Sequence, residues 1–219
     1  MNRAGQKMLG GASVRRMSAD ADSWGELAST WDHRDDVIAF ADRAYASLLE
    51  RTGSLLRTPG LRALDFGAGS GLLTERLAPL CAAIVAVDTS PRMLEVLDRK
   101  GLVGVQSLCV DLSAGAASTE AALRQPFDLV VASSVLAFVD DYPATLRTLG
   151  ALLVPGGRLV QWDWELGEEA SPADMGLRPS ALREAYSAAG LVVEFVGRAF
   201  EMEMGSARNP VVIGVARRP

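Results

Sequence analysis

With 219 residues, 49% of them hydrophobic, and a net charge of −5, the chain can bury one full core but is too short for two ordinary domains with an extra module. Its only lysines, Lys7 and Lys100, leave no extended basic face for nucleic acid or an acidic membrane. Neither a membrane span nor a secretory apolar segment is visible, and the two cysteines, Cys81 and Cys109, suit a reducing cytoplasm, where both read as small buried apolar residues.

Residues 1–22 are rich in Gly, Ala, Ser and Arg without a steady period and are expected to form a flexible arm. Trp24, Leu27, Ala28 and Trp31 then recur at helical spacing. A second run holds Val37, Phe40, Ala41, Ala44, Leu48 and Leu49, so two helices are expected over about 23–52. Trp24 and Trp31 suit either packing or a pocket wall. His33, the single histidine, could serve as a base, but in a helical stretch beside Asp32, Asp35 and Asp36 an ion-pair role is expected.

Leu61 to Phe66 reads as a short buried strand, and Leu72, Leu73, Arg76 and Leu77 repeat at helical spacing after it. Between them lies Gly67-Ala68-Gly69-Ser70-Gly71, a strand-to-helix turn whose glycines tolerate positive φ and allow a ligand to approach backbone. Unpaired N–H groups at the new helix would favour carboxylate, phosphate or ribose oxygens. A dinucleotide fingerprint needs its third glycine at the sixth position, which counting from Gly67 is Leu72. The glycine comes one residue early, and none of Tyr45, Tyr142 or Tyr186 has a lysine four residues on, so a nicotinamide oxidoreductase is disfavoured.

This Gly-x-Gly-x-Gly with Asp65 before it resembles motif I of the class I S-adenosylmethionine-dependent methyltransferases. The resemblance implies that Asp65, Gly67, Ala68 and Gly69 contact S-adenosylmethionine. It also implies that the preceding helices cover the cofactor, with Trp31-Asp32 similar to a Tyr/Trp-Asp step there. Ala82 to Val87 is a second strand ending in Asp88, followed by the capped helix start Ser90-Pro91. An acid at that strand tip is placed to accept from both hydroxyls of a ribose. The acid followed by Pro91-x-Met93 resembles motif II, which puts Thr89 and Met93 beside the adenine. Val103 to Val110 is the third strand, and the resemblance gives Asp111 and the Leu112 backbone contacts to the adenine edge.

The fourth strand, Phe127 to Ala132, leads into Ser133 and Ser134 and resembles motif IV, beside the methionine part of the cofactor and the acceptor. Related enzymes often carry His shortly after, whereas this chain has Ala137-Phe138, which leaves histidine-assisted deprotonation in doubt. Asp140 or Asp141 caps the next helix, and Val154-Pro155-Gly156-Gly157 turns into the fifth strand. That strand ends in Gln161-Trp162-Asp163-Trp164-Glu165, with Trp162 and Trp164 on one face and Asp163 on the other. Trp31, Ser134, Trp162, Asp163 and Trp164 are therefore the candidates for the acceptor pocket. A loop over 166–178 is expected to fold across it, a helix from Ser180 to Gly190 follows, and Leu191 to Met204 and Val211 to Ala216 close the chain as strands.

The expected architecture is α/β, a Rossmann-like, seven-stranded, mostly parallel sheet with helices on both faces and an antiparallel last strand. It forms a single domain over 23–219, with lid helices at its start. The function implied is S-adenosylmethionine-dependent methyl transfer to a small-molecule O, N or C nucleophile in the cytoplasm, without metal, nucleic acid or membrane, and compatible with a homodimer. A catalytically silent cofactor-binding module, or a methyltransferase acting on protein or RNA, would carry the same motifs.

Overall fold

A computed structural model describes residues 23–113, 120–167, 169–170, 175–204 and 207–219; the arm expected over 1–22 lies outside them. One sheet runs in the order β3-β2-β1-β4-β5-β7-β6. Its strands are β1 (Arg62–Phe66), β2 (Ala83–Asp88), β3 (Val105–Cys109), β4 (Phe127–Ser133), β5 (Leu153–Trp164), β6 (Val192–Met204) and β7 (Ala207–Arg217). Strands β1 to β5 pair in parallel, and β7 is antiparallel to both of its neighbours. The expected sheet is therefore the one formed.

The central strands read as near-continuous apolar runs because both faces of a parallel sheet are covered. Along β4, Val130 and Ala132 enter one core while Leu129 and Val131 enter the other. Helices α5 (Tyr142–Ala151) and α6 (Pro179–Ala188) close the first core with Leu146, Leu149 and Leu182. Helices α2 (Asp35–Thr52) and α3 (Leu72–Leu77) close the second with Ala44, Leu48, Leu73 and Leu77. The short α1 (Ala28–Trp31) precedes α2, and α4 (Pro91–Arg99) seals the β2 side through Leu94 and Leu97.

Capping sets where the helices begin. The Ser90 hydroxyl accepts from the Met93 N–H at 3.2 Å to start α4, and the Asp141 carboxylate accepts from the Ala144 N–H at 2.8 Å to start α5. Asp141 rather than Asp140 is thus the cap. Helix α6 begins at Pro179, one residue earlier than expected, with Arg178 giving no side-chain cap. Strand β7 begins at Ala207, which pairs with Met204, so the break expected over 205–210 shrinks to residues 205–206, outside the described ones. The cysteines differ from expectation: Cys81 is half-buried, its thiol pushed up to about 12 by burial and the nearby Asp128, while Cys109 is exposed at the end of the edge strand β3. Among the described residues no helix is long and apolar enough to cross a membrane.

One buried polar group stands out in the α6 core. The Tyr186 hydroxyl is fully buried with no hydrogen-bond partner among the described residues, pressed against Gly214, where a Cβ would lie 2.5 Å from it. An unsatisfied buried hydroxyl costs about 1–3 kcal/mol. Tyr186→Phe is therefore expected to raise the unfolding free energy by about 1 kcal/mol in denaturant titration, and a drop in stability would show that the hydroxyl is bonded.

Candidate functional site

The glycine turn leaves β1 with Gly67, Gly69 and Gly71 at φ of +70°, +56° and +83°. Two of them also admit close neighbours. A Cβ on Gly67 would sit 2.4 Å from a Val135 methyl, and one on Gly71 2.2 Å from a Leu97 methyl, whereas Gly69 faces open space. Most of the turn's N–H groups are consumed internally. Gly67 and Ala68 donate to the Val87 carbonyl at 2.8 and 3.0 Å, and Gly71 donates to the Ala68 carbonyl at 2.9 Å.

What the turn presents is an oriented carboxylate. One oxygen of Asp88 accepts from the Gly69 N–H at 2.8 Å and the other from the Ser90 N–H at 2.9 Å. Asp88 is thus fixed between the first and second strand-to-helix turns. Behind it, Asp65 is 1% exposed and accepts from the Thr74 hydroxyl at 2.6 Å. Burial pushes its carboxyl up to about 6; the Thr74 bond opposes this and the charge of Asp88 adds to it.

These groups line a cavity of about 700 Å³, a size usual for small-molecule sites. It lies beyond the carboxyl ends of β1, β2 and β4, where β1 and β4 are neighbours and the direction of strand order reverses; such a switch point is where open α/β sheets bind ligands. Asp65, Ala68, Asp88, Thr89, Met93 and Asp111 line its polar end. Its other walls are aromatic. Trp24 meets Trp31 at 5.8 Å and Phe138 at 5.5 Å between ring centroids, each nearly perpendicular, and Phe40 meets Trp164 at 5.5 Å. Ser133 and Ser134 also line the cavity. Ser134 takes φ +55°, uncommon without glycine, and its N–H donates to the Trp162 carbonyl at 2.7 Å.

Several expected site residues lie elsewhere. Leu112 is fully buried in the core, while the Asp111 carboxylate accepts from both the N–H and the hydroxyl of Ser113 at 2.8 and 2.6 Å. Trp162 is fully buried and off the cavity, its indole N–H donating to the Ser47 hydroxyl of α2 at 2.8 Å. Only Trp164, one pleat further along, passes the cover of α2 to the wall. Asp163 points to the opposite core, where it accepts from the Gln161 amide at 3.0 Å and the Ala137 N–H at 3.3 Å; Gln161 in turn accepts from the Tyr142 hydroxyl at 2.9 Å. His33 is exposed in the turn between α1 and α2, not in a helix, and is no part of the wall. The described residues of the loop over 166–178 add nothing to the wall either. Asp36, Phe40, Phe138 and Met202 also line it, although the three apolar ones carry no sequence signal beyond apolar spacing and Asp36 reads only as a helix-start acid.

A family model for a methyltransferase domain matches residues 64–159. The ubiquinone biosynthesis O-methyltransferase of Xanthomonas euvesicatoria pv. vesicatoria (strain 85-10) is 34% identical over 144 residues, covering 64% of this chain and 59% of that protein. The protein of the same description from Methylocella silvestris is 40% identical over 103 residues, covering 45% and 38%. The chain thus spans less than two thirds of the length of these relatives. Among solved structures, the DhpI–SAM–HEP complex matches with a TM-score of 0.66 at 22% identity, covering 90% of this chain and 94% of that one. The [4+2]-cyclase SpnF matches with 0.66 at 19%, covering 81% and 80%. At such identities the likeness is one of fold.

Asp163 gives the site's support a pH signature. Burial pushes its carboxyl up to about 7, against the bonds from Ala137 and Gln161. A raised carboxyl stabilises the fold fully below its unfolded value near 4, and that stability is lost as pH rises through about 7. Asp163→Asn keeps an acceptor for Ala137 and cannot ionise. Its stability relative to the native protein is therefore expected to be higher at pH 8 than at pH 5 in chemical denaturation. An equal difference at both pH values would contradict this.

Proposed function

We propose that this chain is a class I S-adenosylmethionine-dependent methyltransferase and that it transfers a methyl group from S-adenosylmethionine to an oxygen of an uncharged, planar small molecule. The observation that carries this reading is the charge of the cavity wall. Asp36, Asp65, Asp88, Asp111 and Asp140 line it, with no Lys, Arg or His among the described residues. A cationic cofactor with a ribose diol and no phosphate suits such a wall, whereas the diphosphate of a dinucleotide would be repelled. The open space at Gly69 leaves room for the ligand beside Asp88.

In this reading the preorganised Asp88 carboxylate accepts from the ribose hydroxyls, Thr89 and Met93 flank the adenine, and Asp111 meets its edge. Asp65, Gly67, Ala68, Gly69 and Ser133 surround the methionine part. When bound, S-adenosylmethionine supplies a sulfonium methyl already activated for in-line transfer. The chain's share is then to hold the acceptor in line and dry, which in favourable cases lowers a barrier by up to about 7–11 kcal/mol. Trp24, Trp31, Phe40, Phe138 and Trp164 offer rigid faces for a flat acceptor, with Ser134 near the end of β4. Asp36 makes a poor base, because the Arg34 guanidinium bonds both of its oxygens, at 3.1 and 2.6 Å, and holds its carboxyl below the usual range. Oxygen as the accepting atom follows the relatives described as O-methyltransferases.

Calorimetry is expected to show binding of S-adenosylhomocysteine and none of NAD. Asp88→Ala should weaken that binding at least about tenfold, since hydrogen bonds to a charged group are worth about 1.5–3 kcal/mol each. In turnover assays neutral phenols should be methylated and carboxylated or phosphorylated analogues should not. Tight NAD binding would overturn the reading, and cofactor binding without turnover of any acceptor would favour a silent module.

A further inference from the structure

We propose that Asp32 is a positioning residue that latches the aromatic segment 24–31 onto the cofactor turn, so that cofactor binding and closure of the acceptor pocket are coupled. The inference rests on the cofactor assignment above. Asp32 follows α1 directly and spends both carboxylate oxygens on other elements. One accepts from the Ser70 hydroxyl, in the middle of the glycine turn, and the other pairs with Lys100 Nζ at 2.8 Å. Lys100, at the end of α4, also reaches Glu75 of α3 at 3.1 Å.

Three features distinguish this cluster from an exposed ion pair, which contributes little. Ser70 is 1% exposed, and the Asp32 and Lys100 side chains are only 22% and 16% exposed. Each oxygen of Asp32 has a different partner, so its carboxylate fixes direction as well as distance. The residue before Ser70 is Gly69, whose N–H is held by Asp88. A continuous chain therefore runs from the ribose-binding acid through Gly69 and Ser70 to Asp32, and on to Trp31 and Trp24, which form the acceptor wall with Phe138. A cofactor that steadies the Asp88–Gly69 turn steadies the Ser70 hydroxyl. That hydroxyl holds the segment carrying the two tryptophans. Coupling of this kind is reciprocal, so closing the segment must tighten cofactor binding by the same factor.

The test is hydrogen exchange of the amides of His33 and Arg34, which donate to the Thr30 and Trp31 carbonyls at 3.1 and 3.2 Å, with and without saturating S-adenosylhomocysteine. In the native protein the ligand should slow their exchange at least about fivefold, the lower end of typical coupling. Ser70→Ala and Lys100→Ala should lose most of that ligand-dependent gain while the sheet amides stay protected. Lys100→Arg should restore it, and the affinity for S-adenosylhomocysteine should fall by the factor by which the gain shrinks. If the substitutions speed exchange equally with and without ligand, leaving the gain unchanged, the cluster is only a structural tie and the proposal is wrong. If the native protein does not bind S-adenosylhomocysteine, the cofactor assignment fails first and this inference with it.

Discussion

The carboxylate of Asp88 is the contact on which the rest of the site depends. Two backbone donors from different turns, Gly69 and Ser90, hold it, one on each oxygen. Beside that bridge, the glycine turn is tied to β2 through the Val87 carbonyl, and the second turn is placed by the Ser90 cap and by the Cys109 thiol, which donates to the Thr89 carbonyl at 3.7 Å. The bridge joins the two turns at the polar end of the cavity, and a carboxylate so fixed reduces the ordering that ligand binding must impose.

The wall's other property is its sign. Five carboxylates line a partly enclosed space. Burial above all, with the charge of Asp88 adding to it, raises the Asp65 carboxyl to about 6. A cation in the cavity relieves that repulsion. The same field that welcomes a sulfonium and an ammonium group excludes phosphates, so selection between cofactor classes needs no dedicated contact. The aromatic end adds shape, and the absence of a wall histidine or lysine among the described residues suits chemistry in which the leaving group is already activated.

The glycine turn and the strand-tip acid beside the cavity were legible in the sequence because their determinants are contiguous. A glycine turn after an apolar run and an acid at the next strand tip are local patterns, and the backbone geometry they require is local too. The acceptor half was less legible. Alternation along β5 correctly separated Trp162 and Trp164 from Asp163, but it could not show how far α2 covers that face. Ser47 of α2 takes the indole of Trp162 into the core and leaves only Trp164 at the wall. Nor could it show that the other face is the buried one carrying Tyr142 and Gln161, which turned Asp163 from an acceptor ligand into an internal group. His33 drew notice for its chemistry, yet its turn points outward. Phe138, where relatives often have histidine nearby, became visible as a wall residue only through its contact with Trp24.

The most direct test of the central claim is a crystal structure of the protein with S-adenosylhomocysteine. The account predicts both ribose hydroxyls on the Asp88 carboxylate, adenine between Thr89, Met93 and Asp111, and the sulfur directed toward the cavity end lined by Trp24, Trp31 and Phe138. Adenosine bound with its ribose away from Asp88, or sulfur facing bulk solvent rather than the aromatic walls, would contradict it.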